Sequence, residues 1–405
     1  MKDQIILFAI PVFFLCIGIE IAIARRHGHS YRINDALTSL NLGTVSSVTG
    51  FFVVVFNVGI YQWVYEHFRL IEAPADRPWV WLVALIAYDF FYYWLHRFNH
   101  QVNVLWASHV VHHSSEDFNL TTALRQTATG FLFNWVFYLP LALFGVPVSM
   151  FLIIGAVDLL YQFWIHTIEI GGLGWFDRVF ASPSNHRVHH GQNSYCIDRN
   201  YGGILIIWDR LFGSFVEEKP DQPLIYGIRG ALSRWNPIIG SLHVYGELWR
   251  DMREASNWRD ALRVWFGHPG WHPPGSKAAA KPAPDLANFR KFDVRPSRAL
   301  QFYALAQYGL LVPLTIFFEA EFDAVAGSVA SLLALAILLK SWIIGAILEC
   351  DQNGIKYEIA WWLLATAGAG FLGPLPLVAA ISCGVGSTLW LALMRNAEAV
   401  TAKAP

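Results

Sequence analysis

Apolar positions run in long blocks from one end of the chain to the other. The first covers residues 5–24 and is followed by Arg25, Arg26 and Arg32; the second covers 42–65, and the third, 79–95, ends directly in a histidine motif. Blocks of about 20 apolar residues, rising 1.5 Å per residue, cross about 30 Å of hydrocarbon as helices. Between the second and third blocks, residues 66–78 read as a short polar loop. Farther on, 131–144 and 148–165 predict a tight helical hairpin broken at Gly145-Val146-Pro147, its second arm running into His166. Residues 299–318, 324–348, 359–371 and 375–395 supply three or four more spans.

The segment between these groups has a different character. Residues 167–298 are polar, with Trp, Gly and Pro scattered through them, and hold 17 of the 29 Lys and Arg. That composition predicts a large interfacial or cytoplasmic region, within which 267–284 is a Pro- and Gly-rich linker. The division expected is therefore 1–78, N-terminal membrane helices; 79–218, the histidine-bearing core; 219–298, an interfacial segment and linker; and 299–398, C-terminal membrane helices. Ala22-Ile23-Ala24 imitates a signal-peptidase site, but the run before it exceeds a typical signal core and Asp3 offsets Lys2. A retained anchor is expected.

Composition agrees with the pattern. The 405 residues are 55% hydrophobic and 15% charged, with a mean hydropathy of +0.38, whereas soluble domains carry about 25% charged residues. Soluble multi-domain architectures are excluded. A formal net charge of −1 leaves no basic excess for a phosphate backbone, so nucleic acid is not an expected partner. Cys16, Cys196, Cys350 and Cys383 are too scattered for a metal pair or a disulfide framework, and read as reduced and structural.

Lys and Arg in flanking loops orient membrane helices. With Arg25 and Arg26 on the cytoplasmic side, the second span leaves and the third returns, delivering His96 to the cytoplasmic face. The hairpin goes out and comes back, so His166 and the Arg-rich segment reach the same face.

Fifteen histidines are the anomaly in so apolar a chain, because ionisable side chains near lipid are costly and mark functional sites. Eight lie in three motifs: HRFNH (His96, His100), HVVHH (His109, His112, His113) and HRVHH (His186, His189, His190). Residues three and four apart share a helix face, so His96 with His100, His109 with His112 and His113, and His186 with His189 and His190 are each expected to aim at a common point. Eight imidazoles exceed the four that tetrahedral zinc takes, so two metals are implied. His166, without a motif of its own, is the candidate ninth ligand. His27, His29, His67, His243, His268 and His272 read as interfacial or loop residues.

Imidazole suits zinc, iron, copper and nickel, and spacing does not choose among them. The setting favours redox-active iron. A hydrolytic HExxH zinc site carries a general base that HVVHH and HRVHH replace with Val, and ligands beside an apolar interior suit oxidation of a lipid C–H bond.

The order HxxxH, HxxHH, a lone His and HxxHH resembles the fatty acid hydroxylase/sterol desaturase superfamily of membrane di-iron enzymes. The surrounding text, HRFNHQVNVLWASHVVHHSSEDFNLTTALRQ over 96–126, then FWIHT, GWFDRVFASPSNHRVHHG and NYGGILIIWDRLFGSF, looks most like its alkylglycerol monooxygenase branch and bacterial sterol-desaturase-like relatives. The resemblance is strong over roughly 79–215 and general in the C-terminal spans. It implies an all-α polytopic integral-membrane helical bundle, with a cytosolic histidine-rich di-metal cap and additional C-terminal transmembrane helices. The three motifs would supply the ligands to two irons. Many relatives carry Glu after HxxxH where this chain has Gln101; if that carboxylate serves pterin use or proton handling, this chain departs from pterin dependence.

Three acidic residues join Gln101 as expected supports of the centre. Asp89 lies on one stripe with His96 and His100, about 10 Å along the helix axis from His96, placed to accept an N–H from a ligand histidine on another element. Glu116 and Asp117 follow HVVHH directly. Asp209 with Arg210 is expected to close the cytosolic portion by pairing charges, and 200–203 to form a turn leading into them; Asp158, in an apolar span, has no assigned role.

The expected activity is O2-dependent hydroxylation or desaturation of a membrane lipid chain, an ether lipid, fatty acyl chain or sterol. No Rossmann, flavin or CxxCH haem signature is visible, so two electrons must come from a ferredoxin, a cytochrome b5-like protein or a reduced pterin. The expected location is a bacterial inner membrane, or the endoplasmic reticulum in a eukaryote. A metal-ion transporter would place its ligands near the bilayer midplane in matching repeats, and a lipid-binding scaffold would not need eight imidazoles at ligand spacing.

Overall fold

The computed structural model describes residues 2–276, 285, 288–294, 296–322, 326–372 and 374–401. Residues 277–284 of the expected linker lie outside them. In chain order the helices are α1 (Lys2–His27), α2 (Ile33–Phe68), α3 (Pro78–Gln101), α4 (Asn103–His113), α5 (Leu120–Ala123), α6 (Trp135–Leu143), α7 (Val148–Trp164), α8 (Phe176–Val179), α9 (Pro183–His190), α10 (Ile207–Leu211), α11 (Pro237–Glu254), α12 (Trp258–Phe266), α13 (Arg298–Glu321), α14 (Gly327–Leu348), α15 (Gly354–Leu372) and α16 (Pro374–Thr401). Among the described residues there is no strand, only isolated bridges joining Phe180 to Leu205 and Gly191 to Tyr226. Among the described residues six helices are long and apolar enough to cross a membrane, and the chain is an all-α polytopic membrane protein.

Two compact units divide the chain. The first comprises Met1–Ser233 and Gly240–Phe292, the second Arg234–Ile239 and Asp293–Pro405. All nine clustered histidines belong to the first.

In the first unit, α2 has 36 residues and is about 54 Å long, well beyond the hydrocarbon thickness. Its opening turns are polar yet buried, through Asn34, Asp35, Thr38, Ser39 and Asn41, and they pack against α5. The rest of α2 joins α3, α6 and α7 around a core of Tyr61, Val80, Ala84, Tyr88, Tyr138, Leu141, Met150 and Ile154. Tyr61 stacks on Phe151 at 4.3 Å and Tyr88 on Tyr138 at 4.5 Å, so aromatic faces lock the four helices together.

The first arm of the expected hairpin is shorter than the apolar pattern predicts. Helix α6 has nine residues, about 14 Å, because side chains intercept the backbone before it. Thr127 Oγ1 accepts from the Thr129 and Gly130 amides, and Asn57 Nδ2 donates to the Phe131 carbonyl at 2.8 Å. Between the arms Gly145 has φ +76°, and a Cβ there would stand 2.1 Å from the Ile71 carbonyl oxygen. Gly145→Ala is therefore expected to cost more than about 1 kcal/mol, both from backbone strain and from parting the 69–73 loop from the turn; thermal unfolding in detergent measures it.

Helices α11 and α12 pack on α4 through Ala107, Val110, Val244, Leu248 and Val264. Trp258, Leu262 and Phe266, spaced by four along α12, are exposed. An apolar stripe on a short, charged helix suits the membrane interface.

The second unit contains α13 to α16. Its interior holds charge: Lys340 and Glu358 are buried and paired. Tyr303 and Trp362 also donate to Glu358 Oε1, at 2.8 and 2.9 Å, and the Lys340 ammonium lies 4.6 Å from the Trp361 ring. At the edge of this unit Glu349 accepts from the Trp235 and Asn236 amides at 2.8 and 2.9 Å.

Candidate metal centre

Four short pieces of chain converge on the centre. Helix α3 ends in His96 and His100, one turn apart. Val102, in an extended conformation, breaks the helix, and α4 then brings His109, His112 and His113. His166 stands just past α7. Helix α9 starts cleanly, with Ser182 accepting from the Asn185 amide and Pro183 in its first turn, as N-termini favour. It carries His186, His189 and His190. Eight of the nine residues are buried, and all nine rings lie in one contiguous cluster.

The nine sort into two groups. His96, His100, His109, His113 and His189 have ligand atoms within 4.8 Å of one another, as do His112, His166, His186 and His190. The groups adjoin where His113 and His190 stack at 4.3 Å. Each HxxHH motif is divided between them, whereas residues three and four apart on one helix face would aim at one point. Adjacent helical residues diverge by about 100°, so His112 and His113 turn to different centres, and so do His189 and His190.

Hydrogen bonds fix the tautomers. The Nδ1–H groups of His96, His112, His166 and His189 donate to the carbonyls of Tyr201, Arg125, Gln162 and Arg199, at 2.8, 3.0, 2.7 and 2.8 Å. A carbonyl oxygen only accepts, so these Nδ1 atoms carry the proton and a neutral ring leaves Nε2 bare. Yet His112 and His166 Nε2 face each other at 3.3 Å. Two lone pairs at that distance repel unless a cation lies between them. Protonation is an unfavourable alternative, since burial pushes His112 down to about 4 and His166 well below the ordinary histidine value. In the other group His100 and His189 Nε2 are buried without any hydrogen-bond partner. Inward, deprotonated Nε2 atoms with carbonyl-anchored Nδ1–H groups are the donor set that transition metals require, and the residues fit two such ions.

None of these four carbonyl anchors has a sequence signature; their neighbours hold them. Asp209 accepts from the Tyr201 and Gly202 amides at 2.8 and 2.7 Å and from Ser214 Oγ at 2.6 Å, although burial pushes its carboxyl up to about 6. Arg210 lies over the Phe215 ring at 3.7 Å, so the expected Asp209–Arg210 charge pair is replaced by a carboxylate turned inward. Asp89 meets no ligand imidazole, contrary to expectation. It accepts from the Ile204 and Leu205 amides and from Trp208 Nε1, at 2.7, 3.1 and 2.8 Å, tying the 200–208 loop to α3. Gly203 permits that approach, for a Cβ there would stand 2.7 Å from Tyr92. Asp209→Ala, which frees the Tyr201 carbonyl behind His96, is expected to lower turnover about 10-fold, within the range for residues that orient metal ligands; turnover per bound iron measures it.

Arg125 anchors the other group. It is buried and donates to the Val111 carbonyl, Ser114 Oγ, Ser39 Oγ and Asp35, while its own carbonyl holds His112. Glu116 accepts from the Phe292 amide at 2.5 Å. Asp117 pairs with Arg32 at 2.8 Å and Lys291 at 2.5 Å. Both acids thus brace the loop after α4 rather than a ligand ring. Gln101 is half-buried at the end of α3. Asp158 is buried and accepts from Gln162 Nε2 at 2.7 Å; Gln162 is also the residue whose carbonyl holds His166.

An all-helical membrane protein with this centre defines a class. Residues 81–214 match the family model described as fatty acid hydroxylase, and the chain belongs to that family of non-haem iron oxidoreductases acting on lipids. Among curated proteins it is similar to the alkylglycerol monooxygenases of Xenopus tropicalis, 40% identical over 76% of this chain and 70% of the relative, and of Homo sapiens, 38% identical over 76% and 68%. It is also similar to the ornithine lipid hydroxylase OlsE of Rhizobium tropici, 30% identical over 38% of this chain and 46% of the relative. No solved structure matches the chain.

Proposed function

We propose that this chain hydroxylates an ether-linked lipid at the carbon next to the ether oxygen, with each histidine group holding one iron and the centre on the cytoplasmic side of its membrane. That membrane is the inner membrane in a bacterium, or the endoplasmic reticulum in a eukaryote. The observation that carries the reading is the pair of adjoining all-imidazole groups, together with the likeness to alkylglycerol monooxygenases over three quarters of the chain. Iron, when bound, supplies O2 activation and C–H cleavage. The chain's part is to hold nine neutral donors in place, so that no ligand charge offsets the cations. It also excludes water: Phe118 covers His166 and His190 at ring distances of 5.6 and 5.1 Å, and Tyr226 stacks on Phe118 at 4.9 Å.

The reaction balances as R–H, O2, two electrons and two protons giving R–OH and water. A hydroxyl beside an ether oxygen is a hemiacetal, which parts into an aldehyde and an alcohol. The electrons come from an external donor: a ferredoxin, a cytochrome b5-like protein or a reduced pterin. The test is to purify the chain in detergent, measure iron, supply octadecyl glyceryl ether with O2 and each class of donor, and follow fatty aldehyde by mass spectrometry. About two irons per chain with stoichiometric aldehyde and glycerol support the reading. Iron-loaded protein that oxidises acyl lipids or sterols but leaves the ether intact would overturn its substrate, and absence of iron would overturn its chemistry.

A further inference from the structure

Outside the nine-histidine centre, three more metal-ligating side chains meet. His27 ends α1, Gly28 follows at φ +74°, and His29 comes next. The left-handed glycine turns the chain so that two imidazoles, two residues apart, face one carboxylate. His27 Nδ1 lies 2.7 Å from Glu169 Oε2 and His29 Nδ1 lies 2.8 Å from Oε1. No Lys or Arg pairs with Glu169 among the described residues; its other bond runs from its amide to Thr167 Oγ1. The carboxylate is 6% exposed and the rings 55% and 43% exposed, so the acid is held while both rings remain free to rotate toward solvent.

We propose that His27, His29 and Glu169 form a third metal site, taking a divalent cation of the zinc class. Two imidazoles and one carboxylate are the three protein ligands of open zinc sites, at about 2.0–2.2 Å, and these three already have ligand atoms within 4.8 Å of one another. Ligands on a tetrahedral zinc stand about 3.3 Å apart given those bond lengths, so the two N···O separations need to open by about half an ångström, which the exposed rings allow. With both rings exposed, the two imidazole–carboxylate hydrogen bonds compete with bonds to water and contribute little, so a cation replaces little of value.

The location gives the site a consequence. His29 and Glu169 line a cavity of about 320 Å³, whose other walls include Glu20, Tyr31, Asp117, Phe118, Tyr226 and Lys291. Phe118 is also the ring over His166 and His190, so the cavity ends against the cover of the iron centre. A cation bound at its rim would tie the end of α1 to the segment that begins at His166.

The experiment reads metal stoichiometry and is independent of turnover. Iron-loaded protein in detergent is dialysed against micromolar Zn²⁺, and both metals are counted by mass spectrometry for the natural chain, for His27→Ala with His29→Ala, and for Glu169→Gln. The expected result is one zinc per natural chain with iron unchanged, no zinc in the double variant, and at least tenfold weaker binding in Glu169→Gln. X-ray absorption at the zinc edge should show imidazole scattering that the double variant lacks. Equal zinc in the natural chain and the double variant, zinc gained only as iron is lost, or no zinc in the natural chain would each overturn the proposal.

Discussion

Alanine at His112, or at His189, is expected to lower turnover by more than 100-fold. Residues that merely orient a metal ligand are worth about 10- to 100-fold, so a ligand should exceed that. His112 belongs to the group of four and His189 to the group of five. His112→Ala leaves three imidazoles and is expected to bring iron from about two per chain to about one. His189→Ala leaves four donors, so it should keep more iron while losing turnover. His67→Ala is the control, since His67 is exposed and its ring bonds to the Trp63 carbonyl of its own helix, away from both groups. Iron analysis beside aldehyde production measures all three; full iron and full turnover in both ligand variants would remove the centre from the chemistry.

Loss of Asp35 is expected to cost about 3–5 kcal/mol, the range for stranding one partner of a buried ion pair. Arg125 is buried and reaches Asp35 at 2.9 Å. Asp35 also receives Ser115 Oγ at 2.7 Å and Arg32 at 2.9 Å. Asp35→Ala would leave the guanidinium uncompensated directly behind His112, so iron in the group of four should fall along with thermal stability. Arg125→Lys should not rescue function, because one ammonium cannot span Asp35, Ser114 and the Val111 carbonyl as the guanidinium does. Replacing both partners, Asp35→Leu with Arg125→Met, should cost less than the two single losses added together. Unfolding in detergent by heat and by denaturant decides it; additive losses would mean that the pair acts through separate neighbours.

The sequence carried the histidines and hid their supports. All nine candidate ligands were legible: eight because imidazoles recurring at spacings of three and four are too costly in so apolar a chain unless they bind something, and His166 as the lone histidine on which the apolar block 148–165 ends. Their division between centres was not, because spacing records which residues share a helix face but not what that face meets; His112 and His113 adjoin in sequence and part in space. The anchors at Tyr201, Arg125, Gln162 and Arg199 are backbone carbonyls, which every residue possesses. Asp35 and Arg125 sit in polar text, NDALTSL and ALRQ, whose burial depends on α2 continuing past the hydrocarbon. The short α6 was missed for a related reason: the apolar block 131–144 shows hydrophobicity, while the Thr127 and Asn57 bonds that delay the helix come from side chains outside it. Lys340 and Glu358 did carry a signal, for ionisable residues within or beside apolar blocks mark polar contacts.

That last pair bears on how the protein is made. A lone ammonium at the centre of a nascent membrane helix raises the cost of partition by about 2.5–3.5 kcal/mol. Lys340 lies in α14 and Glu358 near the start of α15, with only residues 349–353 between the helices. The two segments are thus close enough along the chain to neutralise each other as a hairpin before either meets acyl tails alone. Biogenesis of this region should accordingly proceed by joint release of α14 and α15 from the insertion machinery, with a ribosome stalled between them leaving α14 poorly integrated.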